Sequence, residues 1–181
     1  MGTQALKEEL INDIIIVEGG YVDDPSDSGG ETNWGITVKV ARQFGYDGPM
    51  KDFPRETAFS IYESMYWDSV KGDDLARLSH PVAREIVDTA VNLGVGRASG
   101  FLQRSLNIMN NRGQLYDEVI VDNSIGPKTL ISLSAYLALR SEKVLCKALN
   151  CLQGSFYIEL AEKREKDERF IYGWLKNRVG L

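Results

Sequence analysis

Apolar residues recur along most of this chain at the three-and-four spacing of helices, and one short stretch breaks the rhythm. Leu6, Leu10 and Ile14 fall four apart, with Ile11 and Ile15 beside them. They predict a first helix whose apolar stripe runs on to Glu18. Gly19-Gly20 stops that helix. From Tyr21 to Ile36 the pattern changes, because Asp23, Asp24, Pro25, Asp27, Gly29, Gly30 and Gly35 are turn formers. The apolar ends of this stretch, Tyr21-Val22 and Trp34 to Ile36, predict the two sides of a small β-hairpin. Thr37 stands where it caps a helix running towards Gly45.

The rest reads as helix after helix. Ala58, Ile61, Tyr62, Met65 and Tyr66 form one stripe. Pro81 opens another helix, with Val82, Ile86, Val87, Ala90 and Leu93 facing inward. Phe101, Leu102, Leu106 and Met109 continue the pattern. Val121 to Thr129 is a turn signalled by Asp122-Asn123 and Gly126-Pro127, and two or three more helices follow as far as Val179. The charged run Glu159 to Arg169 mixes both signs and reads as a solvated helix face. The expected fold class is mainly α, arranged as two helical lobes, with one small β-hairpin lining the cleft.

Composition narrows the classes. With 43% hydrophobic residues in 181, the chain builds a real core. A net charge of -5 and a pI near 5.0 set aside nucleic-acid binding, which calls for the opposite balance. Cys146 and Cys151 are five apart in a helical segment, so their side chains diverge, and they read as thiols rather than as a disulfide. The first residues lack the basic start of a signal peptide, and no stretch approaches the roughly 18 apolar residues of a membrane span. The expectation is a monomer made in the cytoplasm, with neither nucleic acid nor membrane as partner.

Several chemistries lack their residues. His80, the one histidine, precedes Pro81 at a helix start, where capping or plain exposure is its expected role rather than a Ser-His-Asp site. Zinc lacks ligands. Gly94-Val95-Gly96 with Gly100 has the wrong spacing for a dinucleotide loop. In the acidic loop neither the Asp23 nor the Asp24 frame supplies the glutamate that a calcium loop requires at its twelfth position, so no metal and no cofactor are expected. Carboxylate chemistry remains. Glu18 lies on an apolar stripe and at the negative end of a helix dipole, and both favour the protonated acid that a glycosidase uses on its leaving group. Nine residues on, Asp27 reads either as a turn former or as a carboxylate that activates or positions water. Thr37 reads as an N-cap, a role that is compatible with one in catalysis. Tyr21, Trp34, Tyr66 and Trp67 are candidates for stacking on sugar rings, with core packing the competing role.

Residues 18–37, EGGYVDDPSDSGGETNWGIT, resemble the signature of glycoside hydrolase family 108. These are N-acetylmuramidases found among phage endolysins and secretion activator proteins. The matching positions are Glu18, Gly19-Gly20, Tyr21, Asp24-Pro25, Gly29-Gly30, Thr32 and Gly35-Ile36-Thr37. The resemblance implies a lysozyme-like fold and makes Glu18 the catalytic acid, with Asp27 and Thr37 as its companions. The second half, through Asp88, Ala90-Val91-Asn92, Gly94, Leu102-Gln103, Leu106, Asp122-Asn123, Gly126-Pro127, Thr129 and Gly173-Trp174-Leu175, resembles the predicted peptidoglycan-binding region that accompanies the family. Asn123 departs from the usual glycine there, but Asn also tolerates a left-handed backbone.

The resemblance divides the chain into a muramidase lobe, 1–94, and a helical lobe, 95–181, packed into one compact unit. It implies cleavage of the β-1,4 bond between N-acetylmuramic acid and N-acetylglucosamine in peptidoglycan strands. It further implies lysis of the wall after release through a holin pore. Two rival readings share the fold: a lytic transglycosylase and a non-catalytic wall-binding or secretion-associated module. Because no ligand set has metal-site spacing, EDTA is expected to leave the implied activity unchanged. Full loss on chelation, restored by calcium in a turbidity assay, would instead assign the acidic loop to a cation.

Overall fold

The computed structural model describes residues 2–23 and 30–180. Chain contacts divide it into two compact units, Met1–Ser69 and Val70–Leu181. Its elements are helices apart from one two-stranded sheet.

In the first unit, α1 (Thr3–Glu18) buries Leu6, Leu10, Ile11 and Ile15. It packs against α3 (Arg55–Tyr62) and against the turn of π-helix, Glu63–Asp68, that continues α3. Two polar ties set the register of this packing. Lys7 Nζ lies 2.6 Å from Glu63 Oε1 at a partly buried position, and Arg55 Nη2 donates to Asn12 Oδ1 at 2.7 Å. The hairpin pairs β1 (Thr32–Asn33) with β2 (Ile36–Thr37), Thr32 opposite Thr37 and Asn33 opposite Ile36. Trp34 and Gly35 form its two-residue turn with φ of 52° and 74°, the positive pair a type I′ turn requires.

This corrects the expected pairing. Trp34-Gly35 is the turn rather than part of a strand, and Val22 instead exchanges two 2.9 Å backbone hydrogen bonds with Thr32. Asn33 Nδ2 donates to the Met50 carbonyl at 2.8 Å, pinning the hairpin to the 3₁₀ turn Met50–Asp52. The Thr37 hydroxyl accepts from the Val40 N–H at 3.3 Å and caps α2 (Val38–Gln43).

The second unit holds α4 (Gly72–Leu78), α5 (His80–Leu93), α6 (Val95–Ile108), α7 (Pro127–Leu139), α8 (Glu142–Lys163) and α9 (Glu168–Arg178). Helix α5 is its axis: it packs on α4, α6 and α8 through Val82, Ala83, Ile86, Val87 and Ala90. The cap of α5 is Ser79 rather than His80. Its Oγ accepts from the Val82 N–H at 3.2 Å and donates to Glu142 Oε2 at 2.7 Å. Asp88 ties α5 to two other helices, accepting from Gln153 Nε2 at 3.1 Å and lying 3.6 Å from Arg178.

The loop before α7 is tied to α6 by Gln103, which is 1% exposed. Its Nε2 donates to Asp122 Oδ1 at 2.7 Å and to the Ser124 carbonyl at 2.9 Å, and its Oε1 accepts from the Asn123 N–H at 3.0 Å. Asn123 has φ of 62°, the left-handed conformation its place in the motif calls for. The turn ends sooner than its residues suggest, because Gly126 caps α7 and Pro127 takes the first helical position. Both cysteines are free thiols, Cys151 exposed and Cys146 half-buried, and burial pushes the Cys146 thiol up to about 11.

A chain cut after Gly94 ends between α5 and α6, which pack face to face. It uncovers Val82, Ile86 and Val87, each worth roughly 1.5–3 kcal/mol of burial. Such a fragment is expected to leave 80–93 unfolded, read as unprotected amide exchange there and lost helical circular dichroism.

Candidate active site

Glu18 is the last residue of α1, followed by Gly19 at φ of 79°, whose N–H returns to the Ile15 carbonyl. The residue is exposed, which corrects the expectation that it lies on the buried stripe. The buried face comprises Leu6, Leu10, Ile11 and Ile15, while Ile14 is half-covered. The apolar cover stops one turn short of the helix end.

What lies against Glu18 is the hairpin turn. A Cβ placed on Gly35 would stand 2.7 Å from Glu18 Cβ, 2.8 Å from Glu18 Cγ and 2.5 Å from the Tyr62 hydroxyl oxygen. Gly35 is therefore required twice, by its positive φ and by this three-way approach. The aliphatic stem of Glu18 is thereby held against the backbone of the turn. Tyr62 fixes the third side, as its hydroxyl donates to the Trp34 carbonyl at 3.1 Å. The Trp34 indole N–H is held by the Phe53 carbonyl at 3.2 Å.

Tyr66 stacks on Tyr62 with ring centroids 5.9 Å apart and planes 23° from parallel. Both phenols are pushed up, first by burial and then by the negative charge of Glu18. They stay protonated at neutral pH, so these two neighbours face the Glu18 carboxyl as neutral hydroxyls on an aromatic pair. The π-helical turn carries Tyr66 to this position, and such insertions into helices frequently mark functional sites.

The other sequence candidates fall in different surroundings. Tyr21 is exposed, and its hydroxyl donates to Glu31 Oε1 at 2.7 Å. That bond, followed by burial and the charges of Glu31 and Asp23, pushes the phenol up to about 12. Trp34 and Tyr66 are half-buried. Trp67 is 0% exposed, a correction to its candidacy for stacking on sugar: its ring is core. The Thr37 lone pair serves the cap of α2. Asp27 lies outside the described residues. Among the described residues no cluster of three or more His, Cys, Asp and Glu side chains is close enough to hold a metal ion.

Sequence reasoning missed the roles of Tyr62 and Gly35 and passed over Glu31. Tyr62 sits four before Tyr66 on one apolar stripe, which reads as core, and a hydroxyl contact across the unit leaves no periodic trace. Gly35→Ala is expected to cost about 1–2 kcal/mol from the left-handed backbone alone, with more from the clash. The check is a lowered melting temperature together with shifted NMR signals from the Tyr62 and Tyr66 rings.

Residues 11–94 match the family model described as Glycosyl hydrolase 108, and residues 97–179 match one described as Predicted Peptidoglycan domain. No curated protein matches the chain. Among solved structures, Brucella abortus SagA is 24% identical, with a TM-score of 0.62 over 98% of each chain, a likeness of fold. With Glu18, its glycine-bearing hairpin and the matched segment all in the first half, residues 11–94 form a Glycosyl hydrolase 108 domain, and the chain that carries it is a glycoside hydrolase.

Proposed function

We propose that the protein is a peptidoglycan N-acetylmuramidase in which Glu18 is the general acid. The observation carrying this reading is the Glu18 environment. Its stem is immobilised on Gly35, its carboxyl is open to a ligand, and its neighbours are the neutral phenols of Tyr62 and Tyr66. A carboxylic acid so held donates its proton to the glycosidic oxygen as the bond to the muramic acid carbon breaks. Tyr21, Trp34 and Tyr66 offer aromatic surface for sugar rings, and the protonated Tyr66 phenol offers its hydroxyl to the acetamido and ring oxygens.

In this reading Asp27, nine residues after Glu18, activates or positions the attacking water. Thr37 accepts a helix N–H and still has its own O–H to donate, so it caps α2 and holds that water at once. The protein works as a monomer on the cell wall, and the resemblance of residues 18–37 to a signature found among phage endolysins favours delivery through a holin pore. Among the described residues no helix is long and apolar enough to cross a membrane.

Glu18→Gln is expected to lower the rate of wall lysis by about 100- to 10,000-fold while leaving the melting temperature near that of the wild type. Mass spectrometry of digested peptidoglycan is expected to show reducing muramic acid ends. A 1,6-anhydro product would replace hydrolysis by transglycosylation, and a folded Glu18→Gln protein that still lyses walls would remove Glu18 from the chemistry.

A further inference from the structure

The second unit contains a cavity of about 400 Å³ between α6, α8 and the loop around Asn123. Its size falls within the roughly 300–1,000 Å³ of small-ligand sites. Arg97 and Arg104 are seven apart on one face of α6, with Gly100 between them, and Phe156 and Glu159 contribute from α8. The Arg97 guanidinium lies over the Phe156 ring at 4.0 Å from its centroid, and its Nη1 donates to the Leu93 carbonyl at 2.6 Å. One face of this cation is thus covered and its orientation fixed. Among the described residues neither arginine is paired with a carboxylate, whereas Glu159 lies 3.5 Å from Lys163.

The cavity is built rather than incidental. The buried Gln103 holds the 122–124 loop on α6, and Asn123 takes a left-handed backbone that lays its side chain over Gly100. A Cβ on Gly100 would stand 2.3 Å from Asn123 Oδ1, so any larger residue there displaces the amide that forms one wall. In a chain of net charge -5 this opening gathers two arginines, an aromatic face, an amide and one carboxylate.

The glycan backbone of peptidoglycan is a chain of hydroxyls and acetamides. Its peptide stems carry free carboxylates and an ammonium group. Arginine forks match carboxylates, and Glu159, the one carboxylate of the lining and already near an ammonium at Lys163, matches an amine. We propose that this cavity binds the peptide stem of peptidoglycan, its carboxylates on Arg97 and Arg104, and thereby holds the wall by its peptide while the first unit acts on its sugar. The proposal rests on the peptidoglycan reading above, but it concerns a separate site with a separate readout.

The test uses the full chain carrying Glu18→Gln, so that binding is read without turnover, with isotope-labelled amides followed by NMR. The probes are the tripeptide L-Ala-γ-D-Glu-meso-diaminopimelate and a peptide-free N-acetylglucosamine tetramer. The tripeptide is expected to shift amides at 96–104 and 152–159, and the tetramer to leave them in place. Arg104→Ala is expected to weaken tripeptide binding about tenfold, the loss of one charge-assisted pair. Gly96→Leu, at a helical position where a Cβ meets nothing closer than 3.7 Å, is expected to fill the cavity and abolish binding in a folded protein.

A tripeptide that leaves these amides unmoved at millimolar concentration overturns the proposal. So does affinity unchanged in both variants, or a tetramer that binds in the same place. Lysis by Glu18→Gln would sink the catalytic reading without touching this one, and absent tripeptide binding would sink this one without touching catalysis.

Discussion

The absence of a side chain at Gly35 is the constraint on which the catalytic half depends. A type I′ turn joins two strands of two residues each, and its second central residue meets the stem of Glu18 and the hydroxyl of Tyr62 at distances that no Cβ tolerates. One backbone position thus brings together a helix end, a hairpin and the helix carrying the tyrosine pair. Lys7 to Glu63 and Asn12 to Arg55 hold that helix against α1 from the other side. Through this arrangement an acid on the last turn of a helix, ordinarily a mobile position, is placed against fixed partners. General acid catalysis requires that placement, since proton donation is efficient only within hydrogen-bond reach of the leaving oxygen.

The second half solves a different problem with a similar device. Helices α4, α6 and α8 pack on α5 by burying aliphatic side chains, which makes a stable body but specifies no ligand. Specificity enters through a few polar ties, fully buried at Gln103 and half-exposed at Asp88. Gln103 satisfies three groups of one loop, and Asp88 joins α5 to α8 and α9. A buried amide such as that of Gln103 is costly to leave unpaired, so it is tied to a single geometry. The Asp122-Asn123 loop is where that geometry meets an open, charged cavity. In a polymer built of sugar and peptide, the two halves present chemistries suited to one component each: neutral hydroxyls and aromatics in the first, arginines in the second.

Much of the fold was legible in the pattern of residues, because helix periodicity and turn chemistry are local. The stripe on α1, the cap at Thr37, the helix following Pro81 and the left-handed residue at Asn123 all follow from side chains within a few positions of one another. The hairpin was legible as an element but misplaced in register. Trp34 has the strand propensity of an aromatic residue, and only closure of the chain against Val22 and Thr32 makes it a turn residue. Trp67 was misread for a related reason: an aromatic on a helix stripe has the same signature whether the stripe faces a ligand or a core.

The sequence by itself singled out which acid is the candidate for the chemistry. An acid next to Gly-Gly, followed by a glycine-rich acidic loop and Gly-Ile-Thr, is an ordered pattern whose spacing survives without coordinates. It also determined the helical class and the presence of a second, wall-related half. Only the tertiary structure decided the surroundings of that acid. Glu18 is exposed because the buried stripe of α1 ends at Ile15, and beyond it only the stem of Glu18 meets the hairpin turn among the described residues. Tyr62 is a neighbour because α3 packs across α1, and Gly35 is indispensable because three elements converge on its missing side chain. The cavity between α6 and α8 is of the same kind. Arg97 and Phe156 are nearly sixty residues apart, and nothing in a local pattern announces a guanidinium lying over a ring. Contacts between distant segments are set by the packing of whole helices, and their geometry exists only once the core has formed.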